Sequence, residues 1–118
     1  MPKPVALLIE DDPNHLEIFS RFFHRWGWDV VCVDNSGYRV PVPDNLALIV
    51  VDRAVPPLSG RAVLQQLRDD GATARAVVVT AMPLDIVANE FDGLGVEQII
   101  DKTEAYRQLA TYAGVVGL

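Results

Sequence analysis

The chain has 118 residues, of which 50% are apolar and 22% are charged. This composition fits one globular domain with a single core and argues against a disordered chain. The net charge of -6 argues against direct binding to nucleic acid, because phosphate contacts need a basic face.

The first apolar run has only five residues, between Pro4 and Glu10. A membrane span needs about 20 apolar residues and the apolar core of a signal peptide at least about 7, so the run predicts neither. We therefore expect a cytoplasmic protein that does not contact the membrane. The one cysteine, Cys32, lies in an apolar run, and this context favours a buried, reduced thiol.

Residues 5–9 predict a strand that is buried on both faces, because the run is entirely apolar. Three acidic residues follow it: Glu10, Asp11 and Asp12. Asp12 is the expected N-cap of a helix, because Pro13 suits a first helical turn. We expect this helix to end at Gly27.

Residues 29–33 predict a second strand. The segment after it, residues 34–45, contains Pro41 and Pro43, which disfavour a regular helix. We therefore expect a loop with at most one helical turn, so that the second helix of the domain is shortened or absent.

The apolar run 46–51 predicts a third strand, buried on both faces, that ends at Asp52. A Pro-Pro turn follows, and Ser59 is the expected N-cap of a helix that runs to about residue 69. A buried strand that ends in a carboxylate usually presents it at the edge where open α/β folds bind ligands. Asp52 is accordingly a candidate helix cap, metal ligand or nucleophile.

The rest of the chain continues the alternation with strand 76–79, helix 85–94, strand 98–101 and helix 104–113. Strands that alternate with helices form parallel sheets with right-handed crossovers. We predict a single α/β domain over residues 1–118, with a doubly wound five-stranded parallel sheet in the order 2-1-3-4-5.

Polar side chains follow four of the five predicted strands: Glu10 and Asp11, Asp52, Thr80 and Lys102. The carboxyl ends of parallel strands share one edge, so we expect these side chains to meet. An oxygen-only set of carboxylates suits Mg²⁺, which also relieves their mutual repulsion. A carboxylate can attack phosphorus, while Lys102 and Thr80 contact the phosphoryl oxygens. The residue types therefore favour Mg²⁺-dependent phosphoryl transfer onto a carboxylate.

Four short motifs occur in order along the chain: Leu-Leu-Ile-Glu-Asp-Asp-Pro from residue 7, Ile-Val-Val-Asp-x3-Pro-x3-Gly ending at Gly60, Val-Val-Val-Thr-Ala from residue 77, and Ile-Ile-Asp-Lys ending at Lys102. Each motif alone is a weak signal, but the four together resemble the receiver domain of bacterial and archaeal response regulators. The resemblance extends from Val5 to about Ala113. Segments 52–61 and 80–85 also resemble the HalX-type receivers of haloarchaea.

The resemblance implies a CheY-like receiver domain in two-component signal transduction. Asp52 would accept a phosphoryl group from the phosphohistidine of a sensor histidine kinase or phosphotransfer protein. The phosphorylated domain would shift its conformation and signal to an unknown downstream protein or a fused output domain. Such a domain is not an enzyme in the usual sense, since it catalyses only its own phosphorylation and dephosphorylation.

The resemblance also implies roles for the residues around Asp52. Asp11 and Asp52 would bind Mg²⁺ directly and Glu10 through water, with the backbone carbonyl of Ala54 as a further ligand. Two groups would contact the phosphoryl oxygens: the hydroxyl of Thr80, helped by the Ala81 N–H, and the ammonium of Lys102.

Two positions depart from the family pattern. Thr103 stands where the family has a proline after the lysine, and Ile99 stands where it usually has an aromatic residue whose rotation reports phosphorylation. These departures support an alternative function, a pseudo-receiver that binds partners without being phosphorylated. A third hypothesis, a hydrolase that uses Asp52 as nucleophile, lacks the second carboxylate it would need at Ala54. The two histidines of the first helix, His15 and His24, are interpreted as surface residues rather than phosphodonors.

Overall fold

The computed structural model describes residues 2–34, 39–55 and 58–115. In this part of the chain, five strands form one parallel sheet: β1 (Val5–Ile9), β2 (Asp29–Val33), β3 (Leu46–Asp52), β4 (Arg75–Thr80) and β5 (Val96–Asp101). The strand order is β2-β1-β3-β4-β5. The predicted α/β fold and its order 2-1-3-4-5 are confirmed.

The described helices are α1 (Pro13–Arg25), α2 (Gly60–Asp69), α3 (Leu84–Glu90) and α4 (Ala105–Tyr112), with a 3-10 turn at Lys102–Glu104. Two predicted N-caps are confirmed. The Asp12 side chain accepts hydrogen bonds from the backbone N–H groups of Asn14 and His15. The Ser59 hydroxyl accepts one from the Ala62 N–H at 3.1 Å.

Helices cover both faces of the sheet, because successive side chains of a buried strand point to opposite sides. On one face, Leu7 and Ile49 pack in a cluster with the apolar residues of α2 and α3. On the other face, Leu8 and Val50 pack with α1 and α4, including Phe23. The sheet is therefore the middle layer of three.

The segment before β3 contains no helix over residues 39–45, which agrees with the predicted loss of the second helix. Val40 lies in this segment and is buried against the α2 and α3 face. The Gln66 side chain holds its backbone, accepting from the Val40 N–H at 2.8 Å and donating to the Val40 carbonyl at 2.9 Å. Val40 and the Gln66 amide thus hold this segment against the sheet, together with the ion pair between Arg39 and Asp70.

Several predicted boundaries differ from the structure. The third helix ends at Glu90 rather than residue 94, because Gly93 follows with a positive φ of 82° and the chain turns. The fifth strand begins earlier, at Val96, and the fourth spans Arg75–Thr80. A short antiparallel hairpin, which the sequence did not predict, pairs Ala54–Val55 with Leu58–Ser59. The predicted Pro-Pro turn at residues 56–57 lies outside the described residues.

The prediction of a buried Cys32 thiol is wrong, because Cys32 is exposed. It lies on β2, which is an edge strand of the sheet with a mostly exposed burial pattern. An apolar run in an edge strand is not covered on both sides. Partial burial nevertheless raises the pKa of the Cys32 thiol.

Candidate functional site

Glu10 and Asp52 are neighbours because of the register between β1 and β3. Ile9 pairs with Val51, so the residue after each occupies the same level of the sheet. Leu8 and Val50 lie two residues earlier and face α1 and α4. Because side chains alternate along a strand, Glu10 and Asp52 point to that same face. Both acidic side chains are buried, with exposed fractions of 3% for Glu10 and 9% for Asp52.

Three carboxylates meet at this edge of the sheet. One oxygen each from Glu10, Asp11 and Asp52 lies within 4.8 Å of the others, and Asp11 is the exposed member of the group. Buried carboxylates repel one another unless a proton or a cation compensates their charge. Burial, followed by a hydrogen bond with Asp52, raises the pKa of Glu10 from 4.5 to about 8. In the absence of a cation, a proton thus relieves the repulsion.

This donor set fits a magnesium ion. Mg²⁺ prefers hard oxygen ligands and usually binds one or two carboxylates while keeping several waters. Glu10, Asp11 and Asp52 offer only oxygen, and the exposed position of Asp11 leaves the group open to solvent. Burial, followed by the hydrogen bond with Asp52, raises the pKa of Glu10, and a bound cation would offset the cost of its negative charge.

Lys102 brings an ammonium group to the same place from the end of β5. Its Nζ donates to Asp52 Oδ2 at 3.0 Å and lies 3.6 Å from Glu10 Oε2. Burial alone would lower the pKa of Lys102, but the hydrogen bond and charge of Asp52 and the charge of Glu10 outweigh it and raise the pKa. Lys102 therefore remains charged beside the Asp52 carboxylate.

Thr80 ends the strand next to β3, where Val79 pairs with Asp52. Its side chain is 1% exposed, and its hydroxyl accepts a hydrogen bond from the Met82 N–H at 2.9 Å. The sheet thus places Thr80 beside the acidic group. Ala54 lies two residues beyond Asp52 in the short hairpin.

The glycine that closes the second motif, Gly60, lies directly against the backbone of Asp52. A Cβ added at Gly60 would lie 2.0 Å from the carbonyl oxygen of Asp52 and 3.0 Å from that of Arg53. The Gly60 N–H donates to the Arg53 carbonyl at 2.9 Å. Only glycine permits this approach, so Gly60 fixes the backbone that carries Asp52.

Sequence reasoning missed two residues of the site. His15 was interpreted as a surface residue, but its Nδ1 lies 3.3 Å from Lys102 Nζ and 3.9 Å from Glu10 Oε2. Its position in the first turn of α1, five residues after Glu10, could have placed it at the same edge of the sheet. His24, by contrast, is exposed, as predicted.

Arg53 is the other missed residue. Its guanidinium forms a bidentate ion pair with Glu90, with Nε–Oε2 and Nη2–Oε1 distances of 2.9 and 2.6 Å. Arg61 donates to the backbone carbonyls of Glu90 at 2.9 Å and Asp92 at 3.2 Å. These contacts join the segment after Asp52 to the end of α3, and no local sequence pattern predicts a pairing over 37 residues.

Comparisons with known proteins bear on this arrangement. No family model matches the chain. Over 75 residues, or 62% of its length, the chain is 39% identical to the transcriptional activator protein PfeR of Pseudomonas aeruginosa. The chain spans about a quarter of the length of this curated relative, since the match covers 25% of it.

The structural neighbours are response regulator receiver domains. A Francisella receiver domain has a TM-score of 0.79 at 20% identity, with 94% of this chain and 93% of that chain covered. The response regulator TrrA of Thermotoga maritima, in complex with Mg²⁺ and BeF, has a TM-score of 0.78 at 18% identity, with 94% and 96% covered. A CheY-like receiver domain from Methanospirillum hungatei has a TM-score of 0.79 at 17% identity, with 92% of this chain and 89% of that chain covered. At these identities the likeness shows that the chain shares the receiver-domain fold.

Within residues 2–34, 39–55 and 58–115, no helix has the length and apolar character needed to cross a membrane.

Proposed function

We propose that the chain is the receiver domain of a two-component signalling protein and that Asp52 is its phosphoryl acceptor. The donor would be a phosphohistidine on a sensor histidine kinase or phosphotransfer protein. The observation that carries this proposal is the grouping of Asp52 with two further carboxylates and the Lys102 ammonium at the carboxyl edge of a receiver-type sheet. The match to a transcriptional activator, although it covers only part of both chains, supports the same class of protein.

The proposed chemistry is a transfer of the phosphoryl group from nitrogen to oxygen. A carboxylate oxygen of Asp52 forms the new P–O bond while the P–N bond of the donor breaks. The donor imidazole keeps the electron pair of that bond and takes up a proton from solvent. Lys102 is already in contact with Asp52 and would pair with the phosphoryl oxygens, as would the Thr80 hydroxyl.

Glu10, Asp11 and Asp52, together with the backbone carbonyl of Ala54, would hold Mg²⁺. When bound, the ion supplies positive charge that offsets the phosphoryl and carboxylate oxygens. The exposed Asp11 suits direct contact, and the buried Glu10 suits a contact through water. The domain itself contributes the acceptor, the ammonium and the hydroxyl, and so acts only on its own phosphorylation.

The expected result of phosphorylation is a shift between two conformations of the domain. The phosphoryl group carries about two negative charges in place of the single charge of the Asp52 carboxylate, beside Lys102 and near Arg53, which binds Glu90 of α3. The shift would be passed to a downstream protein or a fused output domain. The name of the curated relative makes a transcriptional output one such candidate. Segments 52–61 and 80–85 support a HalX-type receiver as the subgroup.

A pseudo-receiver is the second candidate, and two observations favour it. Ile99 is half-buried against the core in place of the usual aromatic residue. Thr103 replaces the proline after Lys102, and Asp101 accepts hydrogen bonds from its N–H at 2.8 Å and its hydroxyl at 2.7 Å. This local turn, rather than a proline after Lys102, sets the backbone at Lys102. In this alternative the domain binds its partner without phosphorylation.

Intact-mass measurement after incubation with Mg²⁺ and acetyl phosphate separates the two candidates. The phosphorylated receiver predicts one phosphate adduct in the wild type and none in Asp52→Asn. Phosphoramidate serves as a second donor with a different leaving group. Omission of Mg²⁺ should lower the yield of the wild-type phosphate adduct with either donor.

The absence of an adduct with either donor would contradict the proposal and leave the pseudo-receiver. An adduct that persists in Asp52→Asn would show that another residue is the acceptor. Sustained phosphate release over many turnovers would instead support a hydrolase.

A further inference from the structure

The Lys102 ammonium has three N–H groups and lies among three acceptors. They are Asp52 Oδ2 at 3.0 Å, His15 Nδ1 at 3.3 Å and Glu10 Oε2 at 3.6 Å. The Lys102 side chain is 22% exposed, so most of it is covered by the protein. Two of these acceptors belong to the acidic group, and the third comes from α1.

His15 takes part in this group through a defined atom. An ammonium only donates hydrogen bonds, so a hydrogen bond between Lys102 and His15 requires that Nδ1 accept and that the ring proton lie on Nε2. The other neighbours of Nδ1 are carboxylates, Asp12 Oδ2 at 3.6 Å and Glu10 Oε2 at 3.9 Å, and both are farther away than Lys102. Lys102, the nearest neighbour, favours a ring proton on Nε2, whereas the two carboxylates favour one on Nδ1.

One face of the His15 ring lies against an aromatic ring of α1, and the His15 side chain is 38% exposed. It stacks on Phe19 with the centroids 6.1 Å apart and the planes at 20°. Phe19 and Phe23 are buried and attach α1 to the sheet. The backbone of His15 donates to the Asp12 cap, a contact that does not depend on the histidine side chain.

We propose that His15 is a positioning residue that holds the Lys102 ammonium over the acceptor carboxylate through its Nδ1 atom. This inference rests on the proposed function of Asp52. Phosphorylation would turn the Asp52 carboxylate into an acyl phosphate, and bound Mg²⁺ would engage Glu10. His15 is then the one of the three acceptors that takes no part in either reaction.

The role also accounts for a departure from the family pattern. Lys102 lacks the proline that usually follows it, and the turn capped by Asp101 sets its backbone instead. The backbone turn does not determine where a long lysine side chain ends. A histidine on a rigid helix supplies that constraint.

A measurement on the metal-free protein tests the contact itself. Long-range ¹H–¹⁵N correlation at about pH 8.5, where ordinary histidines are neutral, identifies the ring tautomer of His15. We expect a proton on Nε2 and an accepting Nδ1 whose resonance shifts in Lys102→Met. The exposed His24 on the same helix is the internal control and should not shift. A proton on Nδ1, paired with Asp12, would overturn the proposal.

Phosphorylation rates test the role. His15→Leu removes the acceptor, whereas His15→Asn keeps an oxygen near the place of Nδ1. Loss of one hydrogen bond to a charged group predicts a rate about tenfold lower for His15→Leu. We expect His15→Asn to retain a rate within about threefold of the wild type, because a neutral acceptor remains. His24→Leu should have the wild-type rate.

The outcomes separate the role of His15 from the function of Asp52. Wild-type phosphorylation with an unchanged rate in His15→Leu would overturn the inference and leave the function intact. Equal loss in His15→Leu and His15→Asn would also overturn it, because the accepting atom would then be irrelevant. The absence of any adduct in the wild type would contradict both the proposed function of Asp52 and the role of His15. Thermal unfolding of each variant confirms that the rates compare folded proteins.

Discussion

At the residue scale, the acidic group combines two requirements that oppose each other. Burial of Glu10 and Asp52 holds them in place, yet it also makes their negative charges costly. The protein relieves this cost with the Lys102 ammonium and, at neutral pH, with a proton on Glu10. A cation that displaces the proton from Glu10 would likewise offset the negative charge of the buried carboxylates. Binding of a cation at this group would therefore be linked to stability through Glu10.

The first prediction concerns pH and the stability of the metal-free protein. The pKa of Glu10 is 4.5 in the unfolded chain and about 8 in the fold, so the folded state holds a proton that the unfolded state has lost. Between these values the free energy of unfolding must fall as pH rises, because the folded state binds more protons. Urea unfolding without divalent cations, at several pH values in this window, measures the slope.

Glu10→Gln is the matched control for this slope, since it keeps the shape and removes the titration. We expect the variant to show a flatter pH profile than the wild type. Mg²⁺ in excess should raise wild-type stability most at the upper end of the window, where it no longer competes with the proton. A wild-type profile that rises from pH 5.5 to about 8 would contradict the raised pKa of Glu10.

The second prediction concerns the backbone of the acceptor. Gly60→Ala places a methyl group 2.0 Å from the Asp52 carbonyl oxygen, so the chain must move there. We expect a loss of about 3 kcal/mol in the free energy of unfolding, at the upper end of overpacking effects. The phosphorylation rate should fall as well, because Asp52 moves with its carbonyl.

Gly71→Ala is the comparison for Gly60→Ala. Gly71 has a φ of +95° but no atom within 4 Å of an added Cβ. Backbone strain alone predicts a cost of about 1–2 kcal/mol there, with no change in phosphorylation. Equal stabilities and equal rates for the two variants would show that the close approach at Gly60 does not matter.

At the element scale, α3 is the described helix whose own residues contribute least to its stability. It has seven residues, and its N-cap is Pro83, which offers no side-chain hydrogen bond. Val87 is its one buried residue. The contacts that fix its end come from elsewhere: Arg53 binds the Glu90 carboxylate and Arg61 binds the Glu90 carbonyl. The position of α3 thus depends on Arg53, directly after Asp52, and on Arg61.

The third prediction is that loss of this ion pair loosens α3. The Arg53 and Glu90 side chains are 31% and 36% exposed, so solvent screens the pair and its contribution to stability is small. Glu90→Gln should therefore speed amide hydrogen exchange in residues 84–90 by about two- to fivefold. Hydrogen exchange with mass spectrometry resolves that segment.

Glu97→Gln is the control for Glu90→Gln. It breaks a pair of the same kind, since Arg75 binds Glu97 through Nε at 3.0 Å and Nη2 at 2.9 Å. This second pair joins β4 to β5 and does not involve α3. Faster exchange in residues 84–90 of Glu97→Gln, or unchanged exchange in Glu90→Gln, would show that Arg53 does not hold the helix.

At the scale of the whole molecule, the sheet was predictable because its strands are buried on both faces. Apolar runs such as 5–9 and 46–51 are long enough to define a strand, and the polar residue after each marks its end. Because β1 and β3 are neighbours in the sheet, Glu10 and Asp52 come together whatever the packing of the surrounding loops and side chains. The acidic group of the candidate site was predictable for the same reason.

The features that escaped prediction depend on packing between distant segments. Cys32 was expected to be buried, but whether an apolar run is covered depends on its place in the sheet, and β2 is at the edge. The contact of His15 with Lys102 joins residues 87 positions apart. The Arg53–Glu90 pair likewise depends on where α3 lies. These relations follow from the folded arrangement and not from local spacing.

The central claim is that Asp52 accepts the phosphoryl group. The most direct test is to phosphorylate the protein with Mg²⁺ and acetyl phosphate, reduce the acyl phosphate with borohydride, and identify the modified residue by peptide mass spectrometry. The account predicts that homoserine replaces Asp52 in the peptide that ends at Arg53, with no change at Glu10, Asp11 or His15. Modification at any other residue, or an unmodified Asp52 in a protein that carries the phosphate adduct, would contradict it.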